Sequence, residues 1–399
     1  MTHFLPDDLG LRVKGYGDEL IALRRDLHAH PELGRGEVRT TRIVRTRLEA
    51  AGLHPEVLPG GTGVVCDIGA ATGDDSPMIA LRGDIDALPV EDEKQVPYRS
   101  TVPGVCHACG HDVHTAALLG AGLVLADLAR EERLRRRVRL IFQPAEEVMP
   151  GGALDVIAAG GLDGVDRIVA LHCDPRLEAG LVGLRSGPVT AACDRLTVRL
   201  SGPGGHTARP HLTADLVYAL AKIVTELPAT LSRRVDPRSG LSVVFGRIAA
   251  GSTANAIPRA GRADGTLRCL DLDGWRRAPA LVEDLIRAVA GQYGVVADVE
   301  YQRGVPPVVN EPDSTALLRT AAHAEFGAHA VVATEQSLGG EDFAWYLEHV
   351  PGALARLGVR RYDDADTRDI HQGSFDVDEE SIETGARLLA AAALHSFPA

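Results

Sequence analysis

The sequence of 399 residues predicts an α/β fold, in which helices cover a mixed sheet and a smaller α+β domain is inserted. In the first half of the chain, helix-spaced apolar residues alternate with short β-rich apolar runs, as expected for a helix-covered sheet. The pattern changes around Ser186-Gly187-Pro188 and returns to its first form after residue 300. A chain of this length can bury two cores, so we predict two domains.

The first part of the chain supplies helices and strands in alternation. Apolar residues at helical spacing predict the helices, and Gly52 is a suitable stop for the second of them. Short runs bounded by Gly, Pro or Asp predict the strands. The predicted helices are residues 19–28, 37–51 and 115–130, and the predicted strands are residues 64–68, 78–81, 138–142, 168–171 and 181–184.

Residues 187–300 form the predicted insert, whose elements follow the order β-α-β-β-α-β of a ferredoxin-like domain. Its strands are predicted at residues 196–200, 242–248, 265–269 and 295–301, and its helices at residues 214–227 and 272–293. The catalytic domain then comprises residues 1–186 and 301–399. Its last part carries predicted helices at residues 314–326, 341–348 and 379–395.

Composition excludes several classes of protein. The formal net charge of −13 argues against a sequence-independent grip on nucleic acid phosphates. Six cysteines are too few for a disulfide framework in a chain this long. Residues 1–10 show no export signal, and no apolar run approaches the ~18–20 residues of a membrane helix. We therefore expect a cytoplasmic protein that binds neither nucleic acid nor membrane.

Good metal ligands recur where the predicted strands end. Open α/β sheets bind ligands at the carboxyl ends of their strands, so we expect these side chains to lie together. Thiolate and imidazole ligands favour zinc, and carboxylates also admit manganese or cobalt. The candidates are Asp84 and Asp86, then Cys109, His111 and His114 in a loop before the helix at 115, then Glu146 and Glu147, His172, and His371.

Each candidate also has a simpler interpretation. Cys106 and Cys109 form a C-x-x-C pair, which alone is also typical of a redox pair or half of a zinc ribbon. Asp84 could cap a strand end, paired glutamates usually face solvent, and a lone histidine such as His172 is more often a satisfied core residue. Their recurrence at successive strand ends favours a metal site.

In these segments the chain resembles the dinuclear metallopeptidases that include aminoacylases, hippurate hydrolases, indole-acetyl-amino-acid hydrolases and related carboxypeptidases. The Cys-Gly-His-Asp block is typical of the N-acyl amino acid amidohydrolase branch, because other branches have an aspartate at the position of the cysteine. The matching motifs span nearly the whole chain. They are His28-Ala29-His30-Pro31-Glu32-Leu33, Arg82-Gly83-Asp84-Ile85-Asp86-Ala87-Leu88-Pro89, Cys109-Gly110-His111-Asp112, Gln143-Pro144-Ala145-Glu146-Glu147, Gly340-Glu341-Asp342-Phe343 and His371-Gln372-Gly373-Ser374-Phe375.

The resemblance implies a role for each site residue. Cys109 would bridge two divalent metal ions, most often zinc, with manganese, cobalt or nickel as alternatives. Glu146 would be the general base and Asp86 an orienting carboxylate. The remaining metal ligands would be His111, Glu147, His172 and His371. His30, Glu32, His107 and His114 match family positions without a role that the sequence defines.

The inserted domain carries the other residues that the resemblance implies. His206, in a glycine-led turn, would reach into the active site of a partner subunit and donate to the developing oxyanion. Asn255 and Arg268 would hold the substrate carboxylate, which a guanidinium can grip bidentately. The insert would then be a lid and dimerisation domain, and the protein a homodimer.

The predicted function is a metal-dependent amidohydrolase that cleaves N-acyl-L-amino acids to a carboxylic acid and a free amino acid. In this mechanism a metal-activated water attacks, with a glutamate as general base. The alternative with the same chemistry is a dipeptidase or carboxypeptidase. The alternative of another class is an inactive binding protein on this fold.

Overall fold

The computed structural model describes residues 8–69, 77–362 and 368–395. Most of the N-terminal stretch for which the sequence predicts no export signal, residues 1–7, lies outside the described residues. The chain divides into two compact units. The first unit comprises the described residues of Met1–Gly187, Asn310–Glu335 and Trp345–Ala399, and the second comprises Pro188–Val309 and Gln336–Ala344.

The elements are numbered in chain order. The α-helices are α1 (Leu9–Gly15), α2 (Gly17–Ala29), α3 (Val38–Ala50), α4 (His111–Arg130), α5 (Ala153–Ala158), α6 (Leu216–Arg234), α7 (Leu272–Gln292), α8 (Pro312–Phe326), α9 (Ala344–Leu347) and α10 (Glu380–Leu394). The strands are β1 (Glu56–Val57), β2 (Val64–Ile68), β3 (Met78–Asp84), β4 (Arg137–Gln143), β5 (Arg167–Glu178), β6 (Val182–Leu184), β7 (Gly187–Pro188), β8 (Ala192–Ser201), β9 (Gly205–His206), β10 (Ser242–Ala250), β11 (Ala256–Ile257), β12 (Ala260–Cys269), β13 (Val296–Val305), β14 (Val309–Asn310), β15 (Val331–Ala333) and β16 (Gly352–Arg360).

The first unit is built on a mixed sheet in the order β1-β2-β4-β3-β5-β16-β6-β15. Strands β4, β3, β5 and β16 are parallel neighbours, so their carboxyl ends lie at one edge. Strands β2 and β6 pair antiparallel with β4 and β16. The α/β class with a mixed, helix-covered sheet is thereby confirmed. The sequence pattern did not predict β16, which is buried over nearly its whole length.

Helix α4 forms the centre of this unit, and it begins earlier than predicted. The amides of Val113 and His114 donate to the Gly110 carbonyl at 2.9 and 3.1 Å, so the helix starts at His111 rather than at 115. Gly110 has a φ of 86°, a conformation open mainly to glycine. His111 and His114 therefore lie on the first turn of α4, and the prediction that they lie in a loop is wrong.

By length and composition alone, helix α4 is long and apolar enough to cross a membrane, and within the described residues it alone passes this test. However, 89% of its apolar window is buried inside the protein. It packs against α2 and α10, and a Cβ on Gly120 would lie 2.6 Å from Leu20. Its apolar composition is thus that of a core helix.

The second unit contains an antiparallel sheet in the order β10-β12-β8-β13. Helices α6 and α7 pack on each other and against this sheet. The chain order β8-α6-β10-β12-α7-β13 is the ferredoxin-like arrangement. The predicted boundary at residue 300 falls inside β13, because that strand continues to Val305. The helix predicted at 341–348 is only the short α9, Ala344–Leu347.

Candidate metal centre

The candidate ligands of the first unit come from four neighbouring strands and from the loops that follow them. Asp86 follows β3, Glu146 and Glu147 follow β4, and His371 lies in the chain between β16 and α10. The chain between β3 and α4 supplies Cys109, and α4 itself supplies His111. His172 differs from the prediction, because β5 continues to Glu178 and places this histidine inside the strand.

Two groups of ligand atoms share Cys109. The ligand atoms of Cys109, His111 and His172 lie within 4.8 Å of one another, and so do those of Cys109, Glu147 and His371. The first three side chains are buried, whereas the His371 side chain is 50% exposed. A thiolate common to both groups is placed as a bridge between two ions would require.

His172 presents its Nε2 atom to Cys109. The Cys109 Sγ atom lies 3.5 Å from His172 Nε2. The other ring nitrogen, Nδ1, lies 2.7 Å from the carbonyl oxygen of Cys173 and donates to it. Burial and the nearby Arg356 hold the pKa of His172 well below its usual range. The ring is therefore neutral, with the Nε2 lone pair directed at the thiol.

His111 and Glu147 are both oriented by Asp86. One carboxylate oxygen of Asp86 lies 3.1 Å from His111 Nδ1, and the other accepts the Glu147 backbone N–H at 3.0 Å. His111 Nε2 is buried and makes no hydrogen bond within the described residues. It lies 4.0 Å from Glu146 Oε2. A buried nitrogen without a hydrogen bond, held by a carboxylate on the other side of the ring, is typical of a metal-binding histidine.

Glu147 and His371 face each other. His371 Nε2 lies 3.2 Å from Glu147 Oε1, an oxygen that is buried and makes no hydrogen bond in the described part of the chain. His371 has a φ of 65°, and its backbone N–H donates to the Ala108 carbonyl at 2.7 Å. This bond ties the His371 loop to the residue that precedes Cys109.

Asp84 and His114, also predicted as candidates, are occupied by other partners. His114 Nδ1 donates to Asp84 at 2.6 Å, and His114 Nε2 accepts the backbone N–H of Cys173 at 2.9 Å. The second Asp84 oxygen accepts from Arg82 at 2.6 Å. Although burial opposes it, the neighbouring His111, His114 and Arg82 hold the pKa of Asp84 well below its usual range. Both ring nitrogens of His114 are used, so it is not a ligand.

The donor set fits divalent cations. Burial, followed by the charges of Glu147 and Glu146, raises the pKa of the Cys109 thiol well above its usual value. Burial alone would lower the pKa of His111, but Asp84 and Asp86 raise it to about 10. Without a cation the thiol and the imidazole would therefore hold their protons. Nearby divalent cations reverse this preference, and a thiolate with imidazoles and a carboxylate matches a zinc-type site.

The second unit holds the predicted substrate-binding residues. His206 on β9 pairs with Ala256 on β11, and the Thr207 amide donates to the Asn255 carbonyl at 3.3 Å. His206 Nδ1 accepts the Ala208 N–H at 3.0 Å, which leaves the ring proton on Nε2. Arg268 lies on another strand, β12, opposite Cys193. Its Nη1 atom is buried and makes no hydrogen bond within the described residues.

Comparison with known proteins identifies relatives that match most of the chain. The model of peptidase family M20/M25/M40 matches residues 80–395. An N-acetyl-L-cysteine deacetylase from Bacillus subtilis (strain 168) is 39% identical, over 91% of this chain and 85% of that protein. The crystal structure of a dinuclear metal-binding peptidase of family M20 from Bacillus subtilis superposes with a TM-score of 0.82. That protein is 34% identical, and the match covers 96% of this chain and 98% of the other.

One relative is longer than this chain. A protein of Rhodococcus jostii (strain RHA1), named as a glutamate–cysteine ligase 2-3, is 52% identical over 94% of this chain. The match spans only 46% of that protein. This chain therefore corresponds to less than half of the protein that carries that name.

Proposed function

This chain belongs to peptidase family M20/M25/M40 and is a metal-dependent amide hydrolase, and we propose that it cleaves N-acyl-L-amino acids to a carboxylic acid and a free amino acid. The observation that carries the proposal is Cys109, shared by two groups of metal ligands beside the buried Glu146. A relative named for deacetylation of N-acetyl-L-cysteine supports the substrate class.

The residues of the centre divide the work. Two divalent ions, when bound, supply Lewis-acid activation of water and of the scissile carbonyl. Cys109, His111, Glu147, His172 and His371 would hold these ions, with zinc preferred and manganese, cobalt or nickel as alternatives. Glu146 takes the proton of the attacking water and returns it to the leaving nitrogen. Asp86 holds the His111 ring and the Glu147 backbone in place.

The second unit would supply substrate recognition. With Nδ1 of His206 accepting a backbone N–H, Nε2–H is available to donate to an oxyanion. Such a donor can contribute ~2.7–4 kcal/mol to barrier lowering. The buried Nη1 of Arg268 is a suitable donor to the substrate carboxylate, and Asn255 adds a neutral donor beside the His206 turn.

We further propose that the protein is a homodimer in the cytoplasm and that His206 acts in the partner's active site. The edge strand β10 exposes Val244 and Ile248, at 64% and 53%. Helix α6, which packs on β10, exposes Val217 and Tyr218, at 46% and 53%. An edge strand flanked by exposed apolar side chains suits pairing with a second copy.

A substrate panel tests the reaction. The enzyme, loaded with zinc or with manganese, is offered N-acetyl-L-amino acids, their C-terminal amides and unblocked dipeptides. We expect cleavage of the N-acetyl amino acids and weak cleavage of the amides, which lack the carboxylate that Arg268 would bind. The names of the family and of the structural relative favour the alternative of a peptidase. Cleavage of the dipeptides alone would establish that alternative, and no bound metal with no turnover would favour a binding protein.

Subunit mixing tests whether His206 acts in trans. Glu146→Gln and His206→Ala proteins are each prepared, then mixed under conditions that exchange subunits. A mixed dimer has one site with both an intact Glu146 and an intact partner His206. We expect about a quarter of wild-type turnover, because half of randomly mixed dimers are mixed and each has one intact site. No recovery in dimers shown to have exchanged subunits would place His206 in its own subunit's site.

A further inference from the structure

We propose that Glu37 is a positioning residue that holds the turn carrying Glu146 and Glu147. The inference rests on the proposed function, because it assigns to that turn the general base and a metal ligand. Glu37 precedes α3 in the chain and is separated from the turn by 108 positions. Neither the sequence motifs nor the ligand groups include it.

The contact is a single buried hydrogen bond. Glu37 Oε1 accepts the backbone N–H of Ala145 at 2.7 Å, and both residues are fully buried. Pro144 and Ala145 connect the end of β4 to the pair Glu146 and Glu147. A shift of this amide would therefore move the general base directly.

The turn needs such a contact because Ala145 has an unfavourable backbone conformation. Its φ is 55°, in the left-handed region that costs a residue with a Cβ roughly 1–2 kcal/mol. A residue keeps such a conformation only when contacts with the surrounding structure hold it there. Here the Ala145 carbonyl accepts the Gly152 N–H at 2.9 Å, and the Glu37 carboxylate holds the other side of the residue.

Glu32 leaves the Glu37 side chain available for this contact. Glu37 is the N-cap residue of α3, but its side chain makes no capping hydrogen bond. Instead, Glu32 accepts the Arg39 and Thr40 N–H groups at 2.9 and 2.8 Å, the amides that an N-cap side chain ordinarily satisfies. This also gives Glu32, whose role the sequence left undefined, a function in capping α3.

The segment between Glu32 and Glu37 fits closely against the same turn. A Cβ on Gly34 would lie 2.6 Å from Val148, 3.1 Å from the Ala145 Cα and 3.2 Å from Asp86 Oδ2. The Glu32 carbonyl accepts the Ala87 N–H at 2.8 Å. This segment therefore contacts both the turn that carries Glu146 and Glu147 and the neighbourhood of Asp86. These contacts fix Glu37 where its bond to Ala145 is required.

Two substitutions separate the length of the Glu37 side chain from its charge. Glu37→Gln keeps the reach and an acceptor oxygen but removes the charge. Glu37→Asp keeps the charge but is one methylene shorter, so it no longer reaches the Ala145 amide. Glu49→Asp, at an exposed position near the other end of α3, is the matched control. Each variant is assayed for kcat, KM, zinc content and the hydrogen exchange of a peptide that contains residues 143–152.

We expect Glu37→Asp to lower kcat at least tenfold with KM within about threefold, and to speed amide exchange in the 143–152 peptide. Glu37→Gln should keep kcat within about threefold and keep slow exchange. Equal kcat for Glu37→Asp and wild type, or equal losses for the two variants, would overturn the proposal. The assay uses whichever substrate the wild type cleaves, and exchange is measured without substrate, so the wrong choice of substrate class would leave this test intact.

Discussion

Nδ1 of His111 donates to Asp86 at 3.1 Å, and through this bond the first turn of α4 is tied to the chain that follows β3. The same carboxylate accepts the backbone N–H of Glu147. Asp86 therefore orients one candidate ligand on a helix and one in a turn at once. Both carboxylate oxygens of Asp86 are needed for these contacts, since each accepts from a different donor.

Replacing Asp86 by asparagine should disturb both ligands. The amide offers one acceptor oxygen for two donors, so either His111 Nδ1 or the Glu147 amide would face an N–H group. We expect zinc affinity and kcat each to fall ~10–100-fold, as for other residues that orient metal ligands. Competition with a chromophoric chelator measures the affinity. Asp298→Asn, whose side chain is 75% exposed, is the control, and unchanged affinity in Asp86→Asn would contradict this role.

Replacing Glu146 by glutamine should separate chemistry from metal binding. The amide cannot accept the water's proton, so we expect kcat to fall ~10²–10⁴-fold. The zinc content should stay at the wild-type value, because Glu147 and the other ligands are unchanged. Steady-state kinetics and elemental analysis of the same preparation check both points. Glu335→Gln, at a 91% exposed side chain, is the control, and wild-type turnover in Glu146→Gln would refute the assigned base.

Metal uptake should release protons at neutral pH. In the metal-free protein the pKa of the Cys109 thiol is well above its usual value, and that of His111 is raised to about 10, so both hold protons at pH 7. Binding requires both groups deprotonated, so we expect release of about two protons or more per chain. Calorimetric zinc titrations in buffers of different ionisation enthalpy measure this number. A release near zero would show that these groups are not ligands.

The raised pKa of His111 also predicts how the stability of the metal-free protein changes with pH. The pKa of His111 rises from 6.5 to about 10 on folding, so the charged ring stabilises the folded state. This contribution is complete below about pH 6.5 and is lost as the pH rises through about 10. Urea unfolding of the metal-free protein between pH 6 and 10 tests the sign. His111→Asn should flatten the profile, and a steeper alkaline loss in that variant would contradict the assignment.

Gly110→Ala should be more destabilising than an ordinary glycine substitution. Gly110 has a φ of 86°, and a Cβ there would lie 2.7 Å from the Cys173 Sγ atom. Gly104 has a φ of 73° with nothing within 4 Å, so Gly104→Ala has the backbone strain alone, about 1–2 kcal/mol. We expect Gly110→Ala to lower the free energy of unfolding further, and a second substitution, Cys173→Ala, to restore part of the difference. Equal losses in the two glycine variants would show that the close contact is relieved without cost.

The sequence predicted the α/β class and the ferredoxin-like order of the insert because periodicity and bounding residues are local signals. It missed β16, whose apolar run is short, begins with Gly352 and contains Arg356. It also placed the start of α4 late, because histidine, aspartate and threonine at 111–115 hide a helical turn that Gly110 begins. The helix propensities of the single residues do not indicate a helix start that is fixed by the backbone conformation of Gly110.

The candidate site was predicted as a set of residues but not as a set of contacts. In sequence, Asp84 and His114 match the pattern of metal ligands as well as His111 does. Only the hydrogen bonds of His114 to Asp84 and Cys173 exclude His114 as a ligand. Glu37 had no signal in the sequence, because its partner Ala145 lies on a distant segment and contributes only a backbone amide. Whether the site residues perform their assigned roles stays a prediction that the variants above test.

The unequal exposure of the two ligand groups has a consequence for how the protein behaves during purification. Cys109, His111 and His172 are buried, whereas His371 is half exposed in a loop. An ion held partly by His371 should exchange with the medium faster than one held by the buried group. Chelators, dialysis and storage would then yield a half-loaded protein, whose activity on adding different metals reports the more labile position only.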